Sequence, residues 1–520
     1  MSYIANLDTP LLNLNRLDTF TLRDACAGVH VFGAIGSGKT SGSGQALAGA
    51  YLRAGMGGLV LCAKPEEVEL WLRYAKAHGR SNSVLLFDEQ QGFNFLTYEL
   101  ARQGMEGIGS VTECLMRVLE AARRTTSSQG SSGDVFWQDA TRQLLSYAIP
   151  VLYAANGTVS VSSIIAFVLA AATSPEQLAD PEFQQSNLAY QTLFRAATAP
   201  KVPISRTTLE AVSRYWLNEY TAIPSRTRGN IVISLSTTLG RFQHGRLHSV
   251  FCGPTTIVPD LVFNGAIIIM AMPALTWNED GIIGQQLFKY MWQRVVESRN
   301  GLPTRFRDRP VFLWADEAQY FVNSYDSDFL STCRGSRACI VYLSQNLPTY
   351  YAKMGTNETH AADALIGKFN TQVFHQNACP RTNSFASNLV GRTLQRRATY
   401  NEGQGTSQNF GMNAGNNTNQ GSSSGSGSSS GQGHNGSTYN SGSNSGSGNS
   451  WGDSRGHGSN QSTSQGYSEV MDTFIEPSWF SQHLMSGGPP HGNRVSALWF
   501  KNGGHFHETG NNILFPVFRQ

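Results

Sequence analysis

Long apolar runs are missing from this 520-residue chain: none reaches the roughly 18 to 20 residues that a membrane-spanning helix needs. The opening "MSYIANLDTPLLNLNR" also lacks the basic and apolar regions of a signal peptide, so a soluble chain is expected. Cysteine is sparse, with seven residues scattered along the chain and no C-x-x-C pair. That excludes a zinc ribbon and a secreted disulfide framework and makes a reducing cytosol the expected home. Net charge is nearly absent, at +3, so composition neither demands nor excludes nucleic acid, and any basic surface must be local. The length, by contrast, exceeds the usual single-domain range and allows several domains and a large core.

What is present is a change of texture along the chain. Up to about residue 100, short apolar runs ("VHVFG", "GLVLCAK", "SVLLFD") alternate with helical stretches, which is α/β rhythm. Over residues 101–225 strand signals nearly vanish, replaced by helical periodicity such as Trp137, Thr141, Leu144, Ala148 and Leu152, and an all-α domain is expected. The α/β rhythm resumes over 226–402 with "GAIIIMAMP", "PVFLWADE", "CIVYLSQN" and "NTQVFHQ". These read as strands buried on both faces, as in a parallel sheet covered by helices, and they are expected to join the earlier strands in one sheet. Residues 403–466 are rich in Gly, Ser and Asn, bury too little apolar surface to offset ordering entropy, and are expected to be a disordered loop. Strand-like "RVSALWFK" then places 467–520 back in the α/β domain.

The residues that carry chemistry begin with "GAIGSGKT", in which Gly33, Ala34, Ile35, Gly36, Ser37, Gly38, Lys39 and Thr40 spell G-x-x-x-x-G-K-T between a strand and a helix. Glycines let successive backbone N–H groups face a phosphate, the lysine reaches the outer phosphates, and the threonine hydroxyl suits magnesium. ATP and Mg²⁺ are therefore the expected cofactors. The strand "PVFLWADEAQ" ends in Asp316, suited to hold magnesium through water, and Glu317, suited to polarise an attacking water. Together with the loop, this pair points to hydrolysis rather than binding alone. "IVYLSQN" ends in Gln345, an amide able to report on the γ-phosphate or the water. "CRGSRAC" offers Arg334 and Arg337 as cations for phosphoryl transfer, within the chain or across a subunit boundary. His505 and His507 lack a third metal ligand, and Arg396 and Arg397 read as a solvated edge.

The order of these pieces resembles the type IV coupling proteins of conjugative DNA transfer, within the FtsK/HerA superfamily of ring-forming motors. "LCAKPEE" is similar to the family's D-P-K-G-E segment, with Lys64 kept and Ala63 in place of the leading Asp; "VLLFDEQQGFNFLTYE" is similar to its F-D-P…N-P-L segment, with Asn94 and Leu96 kept and Phe95 in place of proline. "DVFWQDATRQLLSYAIPVLYA" resembles the opening of the family's all-α domain and "ISLSTTLGRF" its return to the motor. "WADEAQYF", "YLSQNLPTYYAKMG" and "FASNLVGRTLQ" resemble its magnesium strand, its sensor strand and the approach to a variable loop. The resemblance implies a RecA-like P-loop NTPase domain with a mostly parallel central sheet, interrupted by an all-α domain. It implies a DNA-moving ATPase working as a homo-hexameric ring, with DNA, a relaxase or DNA-processing complex, and a secretion-system or membrane subunit as partners, and with Arg334 supplied to a neighbour's nucleotide. Relatives commonly carry amino-terminal membrane helices, whereas here the phosphate loop begins almost at once. A cytoplasmic chain docking on a separate membrane subunit is therefore expected. A related motor for DNA repair, packaging or defence, and a nucleotide-gated adaptor for protein cargo, remain alternatives at the level of sequence.

Overall fold

Nine short segments of this chain, most of them β-branched or aromatic, pair into one sheet in the computed structural model, which describes residues 3–124, 134–354, 359–410 and 455–520. They are β1 (Val29–Phe32), β2 (Gly57–Leu61), β3 (Val84–Phe87), β4 (Ile267–Met270), β5 (Val311–Ala315), β6 (Ala338–Ser344), β7 (Thr371–Phe374), β8 (Leu498–Lys501) and β9 (Ile513–Leu514). The order across the sheet is β9-β8-β7-β1-β6-β5-β2-β4-β3. The seven strands from β7 to β3 are mutually parallel, and β8 and β9 add an antiparallel edge. Every residue of β1, β2, β4, β5, β6 and β7 is buried, so their largely apolar character reflects helices on both faces. One strand, β6, separates the phosphate-loop strand β1 from the acidic strand β5. This is the arrangement expected of a RecA-like P-loop fold, and the α/β class holds.

The strands flanking the long helical stretch do meet in the sheet. β3 leaves at Phe87, β4 enters at Ile267, and the two are parallel neighbours. Between them the described chain is helical, from Phe95–Gln103 to Gly245–Phe251, and helices Ser225–Leu239 and Gly245–Phe251 continue past residue 225. The stretch belongs to the same compact unit as the sheet, Met1–Asn383 with Ser478–Gln520. It is tied in through aromatic and sulfur contacts: Phe93 packs on Phe288 and the Cys114 thiol approaches the Met291 sulfur at 3.6 Å, both partners lying on helix Ala274–Ser298. No single helix among the described residues is long and apolar enough to cross a membrane. Asp139–Asn156 and Val161–Ala170 pass that test only as a pair bent by 106°.

The second unit, Ser384–Pro477, corrects one expectation. Residues 403–410 and 455–466, read as disordered, are strand: Arg392–Phe410 and Arg455–Thr473 form an antiparallel hairpin in continuous register from Arg392↔Thr473 to Phe410↔Arg455. A ladder is built from backbone N–H and C=O groups, which Gly, Ser and Asn carry as well as any residue, so a composition too polar for a core still permits pairing. The rest of the expected loop, 411–454, lies outside the described residues. Arg396 pairs with Glu469 across the hairpin at 2.9 Å, both exposed, which makes it a solvated edge.

The glycine pair that opens β2 is set by close approach. A Cβ at Gly57 would stand 1.9 Å from the Val262 carbonyl oxygen, which is backbone and has nowhere to move. Gly57→Ala should destabilise the protein by about 1–3 kcal/mol, seen as a lower denaturant midpoint with unchanged slope.

Candidate functional site: a phosphate loop facing an acidic strand end

Parallel register brings three strand ends to one level. Phe32 of β1 lies opposite Ser344 of β6, and Ala315 of β5 lies opposite Tyr342, so Gly33, Gln345 and Asp316 all emerge on the same edge of the sheet. The loop leaving β1 is pinned by its neighbours: Gly33 N–H donates to Ser344 O at 3.2 Å and Ala34 N–H to Gln376 O at 3.0 Å. Gly36 and Gly38 then take positive φ, 74° and 81°, a conformation that only glycine adopts freely. The chain closes through a π-turn over Thr40–Gly44 into helix α1 (Gln45–Arg53). Beneath it, buried His375 meets the Ser43 hydroxyl at 2.7 Å and supports the turn from the end of β7.

Asp316 and Glu317 are both buried, and Glu317 adopts the left-handed region (φ 51°, ψ 47°), a strained choice for a non-glycine residue. That turn folds its carboxylate back over the loop. Lys39 Nζ lies 3.7 Å and Lys64 Nζ 3.3 Å from Glu317 Oε1. Gln345 donates to the same carboxylate at 3.1 Å and Gln319 at 2.9 Å. Burial opposes ionisation of Glu317, but Lys39, the two amides and Lys64 outweigh it and hold the carboxyl below its ordinary range. Beside this cluster the Thr40 hydroxyl donates to Asp316 at 2.7 Å. A hydroxyl and a carboxylate brought together next to a phosphate loop are hard oxygen donors of the kind magnesium takes, so the residues present fit that ion. The segment after Glu317 is anchored from below, where fully buried Lys289 pairs with Asp326 and donates to Phe321 O at 2.6 Å.

The predicted residues Gly33 to Thr40, Asp316, Glu317 and Gln345 thus converge on one site. Arg334 does not join them. It is exposed in the turn before β6 while Gln345 follows the other end of that strand, which puts it roughly 20 Å from its own phosphate loop at the usual strand rise. Any contact of Arg334 with a nucleotide must therefore be made on another copy of the chain. Arg337 is bound to the carbonyls of Ala5 and Asp308 and serves the fold. His505 meets the Gly510 carbonyl, and no metal-binding cluster of His, Cys, Asp or Glu exists among the described residues.

Sequence reasoning missed several members. Gln319 stands two places after Glu317, and its place in "WADEAQ" was the available signal. Glu67 accepts from the N–H groups of Ala63 and Lys64 at 2.7 and 3.3 Å, and burial, with Asp316 nearby, pushes its carboxyl up to about 8. Helix α2 (Pro65–Ala77) contributes Leu70, Arg73 and Tyr74 to the pocket, for which "WLRYAK" offers no signal beyond an ordinary helix.

No protein-family model and no curated protein sequence matches the chain. Among solved structures it is similar to the bacterial conjugative coupling protein TrwB in an unbound form, at 13% identity over 95% of this chain and 85% of that one, with a TM-score of 0.49. A TrwB structure in complex with the non-hydrolysable ATP analogue ADPNP matches at 19% identity over 76% and 80%, with a TM-score of 0.45. VirB4 of Thermoanaerobacter pseudethanolicus matches at 12% identity over 69% and 80%, with a TM-score of 0.43. The chain is similar to both. Likeness at these scores carries no argument about activity, which rests on the geometry of the site itself.

The buried histidines give the site's surroundings a pH signature. Burial lowers His375 and His30 to about 3, whereas the unfolded chain titrates them near 6.5. Above 6.5 both states hold neutral imidazole and this stabilisation is complete; between 6.5 and 3 the unfolded chain alone takes up the protons, and stability falls. Unfolding free energy measured at pH 7, 6 and 5 should decline on acidification, and His375→Gln should flatten that slope by about one proton.

Proposed function

We propose that this chain hydrolyses ATP and uses the energy to move DNA, as a coupling protein of conjugative transfer and type IV secretion. The observation that carries hydrolysis is the Glu317 carboxylate, folded back over the phosphate loop and held by Lys39, Lys64, Gln319 and Gln345. A group that only binds nucleotide needs no buried, ionised carboxylate at the outer-phosphate position. Thr40 and Asp316 would hold Mg²⁺, and the ion would supply positive charge to offset that of the phosphates. Lys39 leaves Glu317 for the phosphates, Glu317 orients the attacking water, and Gln345 holds Glu317 and registers its change of partner.

DNA as substrate is supported by the coupling-protein motifs around Lys64, Asn94, Glu317 and Gln345. The same resemblance supports a homo-hexamer, a relaxase or DNA-processing complex as partner, and a peripheral position at the inner face of the membrane through another subunit. The exposed placement of Arg334, away from its own nucleotide, fits a ring in which each site lies between copies.

The test is ATPase rate with and without single- and double-stranded DNA at low and moderate salt. Turnover should rise with DNA, and the stimulation should shrink as salt competes for phosphate contacts. Lys39→Ala should abolish turnover, and Glu317→Gln should bind ATP while losing about 10² or more in rate. Substantial hydrolysis by either purified variant would refute the assignment, and a rate indifferent to DNA would refute the motor.

A second outcome tests the ring. Arg334→Ala should bind ATP normally and lose on the order of 10³-fold in rate. Mixing it with Lys39→Ala should restore activity at interfaces that join an intact loop to an intact arginine. Mixed oligomers that stay inactive would remove Arg334 from the reaction.

A further inference from the structure

The phosphate loop forms only one wall of its pocket. A cavity of about 390 Å³ lies between Gly36–Thr40, continuing along Ser41 and Gln45, and the face of α2 that carries Leu70, Arg73 and Tyr74. Those three positions are spaced i, i+3 and i+4, so they share one face of the helix. The face is fixed in orientation because Tyr74 is buried, with its ring edge-on to fully buried Trp71 at 5.9 Å. Arg73 is exposed at the cavity and forms no ion pair with a carboxylate among the described residues. The other cation on this pocket, Lys39, is already engaged by Glu317.

We propose that Arg73 is a second phosphate-binding cation, supplied by α2 of the same chain to the face of the nucleotide opposite the loop. The proposal rests on the nucleotide reading above and adds a binding residue to it. A nucleoside triphosphate carries more negative charge than one divalent cation and Lys39 neutralise. A guanidinium with no carboxylate partner, facing a loop shaped for phosphate, complements that remainder and presents two parallel donors to phosphate oxygens. The contact is to the polyphosphate and not to the base, so it is indifferent to which purine is attached.

Titration of fluorescent ATP and GTP analogues with Mg²⁺ into wild type, Arg73→Ala, Arg73→Lys and Lys76→Ala tests it. Lys76 is exposed on the same helix but does not line the cavity. Arg73→Ala should weaken both nucleotides about tenfold or more and by the same factor. Arg73→Lys should recover part of the loss, and Lys76→Ala should bind as wild type does, with all four proteins melting together. Wild-type affinity in Arg73→Ala overturns the proposal while leaving the nucleotide site intact. A loss confined to one purine also overturns it, since Arg73 would then contact the base. Failure of wild type to bind either nucleotide removes the nucleotide reading and this proposal with it.

Discussion

The contact between Lys39 and Glu317 is the constraint on which the rest of the molecule depends, because each residue is presented by a different strand and neither can reach the other unless the sheet holds its order. Lys39 follows β1 and Glu317 follows β5, with β6 between them. Parallel pairing of β1 with β6 and of β6 with β5 sets their ends level, and burial of every residue in the three strands forbids a slip, since a one-residue shift would turn each side chain to the other face. The left-handed turn at Glu317 is affordable only on such a scaffold. Its strain is held in place by Gln319, Gln345 and two lysines above, and by the Lys289–Asp326 pair below.

The same reasoning explains why some of this was legible in the sequence and some was not. Strands buried on both faces leave an unmistakable trace of consecutive apolar residues, and "VHVF", "VFLWA" and "ACIVYLS" all became strands. Gly36, Gly38, Lys39 and Asp316 were legible because phosphate and magnesium chemistry admit few residue types at fixed spacing. The hairpin over Arg392–Phe410 and Arg455–Thr473 was not legible, because its pairing draws on backbone groups that leave no side-chain pattern. The α2 wall of the pocket was hidden for another reason. An arginine on an amphipathic helix looks the same whether it faces solvent or a ligand, and only packing of Trp71 and Tyr74 into the core decides which way the helix is turned.

The helical stretch poses a topological point. It leaves the sheet after β3 and returns at β4, and these two strands lie at the edge of the sheet farthest from β7, β8 and β9. An insertion at that edge lengthens a loop without disturbing the order β7-β1-β6-β5-β2, and closing a longer loop costs little additional entropy. The strands that carry the candidate site can therefore remain in register while a large helical segment is grown beside them, which is how a common phosphate-binding core can acquire a specialised surface.

The electrostatics of Glu317 bear on how binding and chemistry are linked. A carboxylate held below its ordinary range is a weak base, so in the proposed hydrolysis its part would be to orient and polarise water more than to keep a proton. Lys39 is one cause of that lowering, along with Gln319, Gln345 and Lys64. When Lys39 turns to a polyphosphate, Glu317 loses one of the charges that quiet it and becomes more basic, while Lys64, the second lysine on the same oxygen, keeps it ionised. On the proposed reading, nucleotide binding would activate the carboxylate by withdrawing its partner, and the two amides would preserve its aim. Under that proposal the resting contact between lysine and glutamate would be a safeguard, releasing the base only when a phosphate has arrived.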